Sequence, residues 1–151
     1  MPRGRPSVLQ YGPLTVGVTR LDGCPNLLPF VRSLPHGTPV IWLDSARHHP
    51  VTGRWSMLGC DPWLTFIARG DRLQLRTSEA TRVWRQHPLA ALRAILQRYR
   101  APQTGQAQAR ALGLMGYLSY ELNRWIEPTL QRHPSPPGPA MPEMVWYAMR
   151  L

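Results

Sequence analysis

The stretch DPWLTFIARGDRLQLRT, residues 61–77, decides the fold. Two β-like runs, PWLTFIA and RLQLRT, flank the turn residues Gly70 and Asp71, and Leu73 and Leu75 alternate with polar neighbours at a period of two. That pattern predicts a β-hairpin and so an antiparallel sheet. Working outward, PLTVGVTR (13–20) reads as a strand with Leu14, Val16 and Val18 on one face. TPVIWLD (38–44) reads as a buried strand, RWSMLG (54–59) as a short strand, and MVWYAMRL (144–151) as a strand at the chain end. Two segments have helical spacing instead. PNLLPFVRSL (25–34) repeats Leu27, Leu28, Val31 and Leu34, with Pro25 and Pro29 early, where a helix tolerates them. PLAALRAILQRYR (88–100) starts on Pro88 and puts Leu89, Leu92, Leu96 and Tyr99 on one face. Strands and helices mix without βαβ regularity, so the expected class is α+β, a mostly antiparallel sheet packed with helices.

The chain has 151 residues, the size of one ordinary domain, and 43% of them are hydrophobic. That is enough for a core and argues against disorder. No apolar run approaches the ~18 residues of a membrane span, and no apolar segment follows the basic start as in a signal peptide. The expected location is cytoplasmic. The net charge is +10, and all 18 basic residues are arginine. They are scattered from Arg3 to Arg150 without a basic run, so nucleic acid is not the expected partner. Cys24 and Cys60 are the two cysteines and lack metal-ligand spacing. His48 and His49 have no third ligand at suitable spacing and read as loop histidines. Ser45 lacks the GxSxG setting of a hydrolase nucleophile.

Residues 111–127, ALGLMGYLSYELNRWIE, are neither a phosphate loop, lacking the lysine, nor a membrane span, since Glu121 interrupts the apolar run. Glycine in a strand marks a bend, a bulge or the close approach of another backbone. Gly113 and Gly116 therefore predict a central strand that something packs against tightly. Beyond it the chain is expected to turn helical, where Glu121 and Arg124 stand three apart and can pair.

This segment resembles the GGxxGYLGYELxRxxE stretch of component I of aminodeoxychorismate synthase and anthranilate synthase, the chorismate-utilising family. Three further motifs follow the same order. Leu43-Asp44-Ser45, Arg54-Trp55-Ser56-Met57-Leu58-Gly59 and Asp61-Pro62 are similar to the family's LES strand end, R-aromatic-S strand and DP step. HPLAALRAIL is similar to its dPlxxLrxlL helix, and PEMVWYAM to its PDMxFxxYD strand. Asp44 stands for the usual glutamate, and Ser119 for the second glycine of GYxGY.

The resemblance implies the N-terminal part of the anthranilate synthase component I fold. Residues 1–12 form a loose leader and 13–151 the domain, with the chain cut before a C-terminal chorismate-binding catalytic domain. It also implies an L-tryptophan pocket at Ser45, Thr52, Gly53, Arg54 and Trp55. A hydroxyl and loop amides suit an amino acid's charged ends, and an apolar wall suits the indole. The intact enzyme aminates chorismate with Mg²⁺ and a glutamine amidotransferase subunit, component II. No catalytic residue, metal ligand or cofactor site is expected in this stretch, which alone should be inactive and should expose the sheet face that packs on the catalytic half. The short leader and the Asp44 variant lean towards aminodeoxychorismate synthase, the route to 4-aminobenzoate and folate. Anthranilate synthase, in tryptophan biosynthesis, is the alternative. A stand-alone ligand-binding or nucleic-acid-binding module is the alternative of another class.

Overall fold

The computed structural model describes residues 7–11, 14–19, 26–45, 49–51, 53, 55–100, 113–127, 129 and 141–150. Among the described residues are two sheets and two α-helices. Strands β1 (Ser7–Tyr11) and β2 (Leu14–Val18) pair antiparallel, from Tyr11↔Leu14 to Ser7↔Val18. Residues 7–11 of the stretch expected as a loose leader therefore form a strand, satisfied by the ladder to β2. Helix α1 (Leu27–Ser33) starts where sequence spacing places it. Asn26 caps it, its side-chain oxygen accepting from the Leu28 amide at 3.1 Å.

The second sheet holds β3 (Val40–Leu43), β4 (Met57–Arg69), β5 (Arg72–Thr77), β6 (Thr81–Arg85), β7 (Leu114–Leu118) and β8 (Met144–Arg150). Its order is β6-β5-β4-β8-β7, all antiparallel, with β3 lying on β4 beyond the end of β5. The α+β, mostly antiparallel class is as expected. The Gly70-Asp71 hairpin forms with Arg69 opposite Arg72. Gly70 has φ +62°, matching the first-position glycine of a type II′ turn.

Several elements differ from the sequence reading. The two short strands expected before and after Asp61-Pro62 are one thirteen-residue strand, β4. Its register against β8 shifts between Cys60 and Leu64. Pro62 has no N–H for a ladder and Asp61 adopts φ +48°, so the chain passes this point as a bulge instead of breaking. Strand β6 had no expectation at all. Its five residues, TRVWR, are too few for periodicity to stand out, and it forms because Thr77 and Ala80 close a tight turn at 2.9 Å. The C-terminal strand β8 is central, paired to β4 on one side and β7 on the other. Strand β7, expected to be central, ends the sheet among the described strands. Strand β3, expected to be buried, is half exposed because only β4 flanks it.

The core lies between one face of this sheet, helix α2 (Pro88–Arg98) and a 3₁₀ helix (Tyr120–Trp125). Leu64, Phe66 and Ala68 of β4, Leu73 of β5 and Met144 and Ala148 of β8 meet Ala91 and Ile95 of α2 and Leu122 of the 3₁₀ helix. The buried stripe of α2 is thus Pro88, Ala91 and Ile95, flanked by Leu89, Leu92 and Tyr99. Leu96, expected on the buried face, is 50% exposed. Successive strand residues alternate faces, so Thr65, Ile67, Val145, Tyr147, Met149, Met115 and Tyr117 carry the opposite face. Among the described residues, no helix is long and apolar enough to cross a membrane.

Candidate functional site

Ser45 and Trp55, two of the residues expected at a ligand pocket, meet where β3 leaves the sheet and β4 enters it. The ladder sets Leu43 opposite Met57. Carrying that register one and two steps further brings Asp44 to Ser56 and Ser45 to Trp55. Side chains complete the seam there. The Ser56 hydroxyl donates to Asp44 Oδ1 at 2.6 Å, and the Ser45 hydroxyl donates to the Trp55 carbonyl at 2.6 Å. The Ser45 amide donates to Ser56 Oγ at 3.4 Å. The first of these is a charge-assisted bond, short for that reason. The loop beyond closes on itself: the Gly53 amide donates to the His49 carbonyl at 3.2 Å, the His49 amide to the Gly53 carbonyl at 3.4 Å, and the Val51 amide to His49 Nδ1 at 3.2 Å.

Ser45 and Trp55 therefore meet at one seam, and Gly53 lies in the loop beyond it, bonded to His49. Thr52 and Arg54 lie outside the described residues, so the expected roles of these two have no geometry. The Ser45 proton is committed to a backbone carbonyl, which leaves its oxygen lone pairs as acceptors. The setting is apolar and open. Trp42, Leu43, Trp55 and Met57 are all exposed, Trp55 by 54%. What the seam offers chemically is an acceptor hydroxyl and the Asp44 carboxylate beside exposed indoles. That suits an ammonium group with an attached flat apolar body.

A second cluster was invisible in sequence. Glu143, at the head of β8, is a hub. Its amide donates to the Ala68 carbonyl at 2.9 Å, and its own carbonyl accepts from the Ser119 amide at 2.8 Å. Its carboxylate accepts from Trp125 Nε1 at 3.1 Å and pairs with Arg124. Arg124 was expected to pair with Glu121 within the helix. In the 3₁₀ turn its side chain points to Glu143 instead, and Glu121 is exposed. Ser119, the departure from the family glycine, leaves its hydroxyl buried without a partner.

The glycine expectation splits. A Cβ on Gly116 would strike the Val145 carbonyl and come within 2.9 Å of Trp146 Cα, so β8 does pack against it closely. Gly113 has open space around it. Gly59, the last residue of the second motif, is the other tight point: a Cβ there would run into the Met149 side chain and approach Met115 Sδ at 3.2 Å.

Among the described residues no three His, Cys, Asp or Glu side chains gather as a metal site.

No known family model matches the chain. It is similar to "Anthranilate synthase component 1" of Synechocystis sp., 36% identical over 106 residues, which is 69% of this chain and 20% of that protein. It is also similar to "Anthranilate synthase component 1" of Cereibacter sphaeroides, 31% identical over 108 residues, 67% of this chain and 21% of that protein. The chain thus spans about one fifth of the length of the curated relatives it matches. These similarities support the chorismate-utilising family that the motifs suggested.

Proposed function

We propose that the chain is the non-catalytic front portion of a chorismate-aminating enzyme of the anthranilate synthase component I type, and that its β3–β4 seam holds a small amino acid. The observation that carries the reading is the seam itself. Asp44-Ser45 and Trp55-Ser56, drawn from two separate motifs, are stitched together by side-chain bonds of 2.6 Å. L-tryptophan is the ligand of choice: its ammonium meets Ser45 Oγ and Asp44, and its indole lies against the exposed apolar residues beside them. The matched relatives support the enzyme type, since both are named anthranilate synthase component 1. Asp44 in place of the motif's glutamate favours a second reading, aminodeoxychorismate synthase.

In this proposal, chemistry belongs to polypeptide beyond residue 151, and ammonia comes from a glutamine amidotransferase subunit. The present residues bind the amino acid and brace the catalytic half through the open sheet face. The decisive experiment compares residues 1–151 with the same chain extended to the length of its relatives. Each is given chorismate, Mg²⁺ and ammonia, and the aromatic product is identified. The extended protein should consume chorismate and the short chain should not. Anthranilate as product selects the first reading and aminodeoxychorismate the second, whereas turnover by residues 1–151 alone overturns both.

A further inference from the structure

The face of the sheet opposite the core, which the reading above gives to the catalytic half, has a basic corner at its β5–β6 end. Register places Arg69 of β4, Arg72 of β5 and Arg85 of β6 directly across from one another in a single row. Like charges facing each other across a ladder repel, so this row opposes the pairing that contains it. Asp71, in the turn, binds Arg85 through both oxygens at 2.9 and 3.0 Å. The next row is Ile67, Gln74 and Val83, an amide between two aliphatic side chains. Ile67, Arg69, Arg72, Gln74 and Val83 together line a hollow of about 290 Å³. Arg76 extends the basic edge along β5 and is exposed.

We propose that this corner is a docking surface for an acidic segment of another polypeptide. Guanidinium forks suit carboxylates, which they bind in paired hydrogen bonds. The strip of Ile67 and Val83 suits aliphatic side chains alternating with those carboxylates, as on an extended strand. Charge complementarity points the same way, because the chain carries 18 arginines against 8 acidic residues. A single-stranded nucleic acid would need rings to stack its bases, and the hollow's lining contains none. The proposal is independent of the tryptophan seam.

The test is fluorescence anisotropy on residues 1–151 with a short labelled peptide alternating glutamate and valine. The same peptide with glutamine for glutamate, a labelled oligothymidylate and free citrate are the comparisons. The acidic peptide should bind tightest, and more weakly as salt rises. Arg72→Glu/Arg76→Glu should weaken it by at least about tenfold, the scale of losing charge-assisted hydrogen bonds. Arg32→Glu/Arg93→Glu, the same charge change on the two α-helices, should weaken it far less. Equal losses in both variants reduce the effect to net charge and overturn the proposal. So does tighter binding of the oligonucleotide, displacement by citrate at the peptide's own concentration, or no binding. Should the β5 variant fail to fold, amide chemical-shift changes in the unmodified chain decide. Changes at residues 67–74 and 83 support the surface, and changes confined to α2 or β3 overturn it.

Discussion

The Arg124 guanidinium and the Glu143 carboxylate form an ion pair that fastens the 3₁₀ helix to the head of the central strand β8. Its side chains are 30% and 11% exposed, and Trp125 donates to the same carboxylate. Eighteen residues of sequence lie between the partners, so the contact fixes where the chain returns after the proline-rich stretch.

Glu143→Leu alone leaves a half-buried guanidinium without its counter-charge, which is costly. We expect a loss of about 2 kcal/mol, below the fully buried range because Arg124 keeps some solvent. Arg124→Met combined with Glu143→Leu should recover part of that loss. Urea denaturation of the four species of the cycle measures both. Additive losses would show that the pair is not coupled.

The two tight glycines should respond differently. Gly116→Ala meets the backbone of Val145 and Trp146, which cannot step aside, so β7 should detach from β8. Gly59→Ala meets the side chain of Met149, and the cost, about 1–3 kcal/mol for overpacking, should fall when Met149→Ala is added. Amide exchange along residues 114–118 and thermal melts distinguish the cases. Rescue of Gly116→Ala by Met149→Ala would contradict the assignment.

Ser45→Ala removes the hydroxyl that holds the Trp55 carbonyl, at a cost of about 1 kcal/mol. Titrating L-tryptophan calorimetrically should show weaker binding in Ser45→Ala and in Asp44→Asn than in the unmodified chain. Ser33→Ala, a hydroxyl on α1 that donates to the Phe30 carbonyl, should leave binding unchanged. Unaltered affinity in the two seam variants would remove the seam as the ligand site.

The buried stripe of α2 predicts unequal leucine and isoleucine truncations. Ile95→Ala empties space between α2 and the sheet and should cost about 2–5 kcal/mol. Leu96→Ala, half in water, should cost well under 1 kcal/mol. Chemical denaturation of both variants checks the order, and a larger loss at Leu96 would restore the stripe read from helical spacing.

Ser119→Ala should raise the melting temperature. The serine hydroxyl is buried with no hydrogen-bond partner, and removing an unsatisfied group recovers its desolvation cost of about 1–3 kcal/mol. A lower melting temperature would mean that the hydroxyl is satisfied in solution.

Local chemistry was legible without coordinates. The Gly70-Asp71 hairpin and Pro88 opening α2 each depend on residues within a few positions of one another. The seam was legible in part, because Ser45 and Trp55 stand in motifs that the resemblance singled out. That Ser45 would spend its proton on the Trp55 carbonyl, and Ser56 its own on Asp44, follows from strand register, which no short pattern encodes. The same holds for Arg124. Helical spacing offers it Glu121, but the 3₁₀ turn aims it across the sheet.

What the sequence by itself determined is the antiparallel class, the two α-helices and the Gly70-Asp71 hairpin, since turn chemistry and side-chain periodicity act over a few residues. Only the tertiary structure decided that β4 runs unbroken through Asp61-Pro62, that β8 is central and β7 lateral, and that three arginines face one another across β4, β5 and β6. Those outcomes are set by which strands pair and in what register. Pairing is a contest among segments far apart in the chain, and it is won by burial of Phe66, Leu64 and Met144 beneath α2.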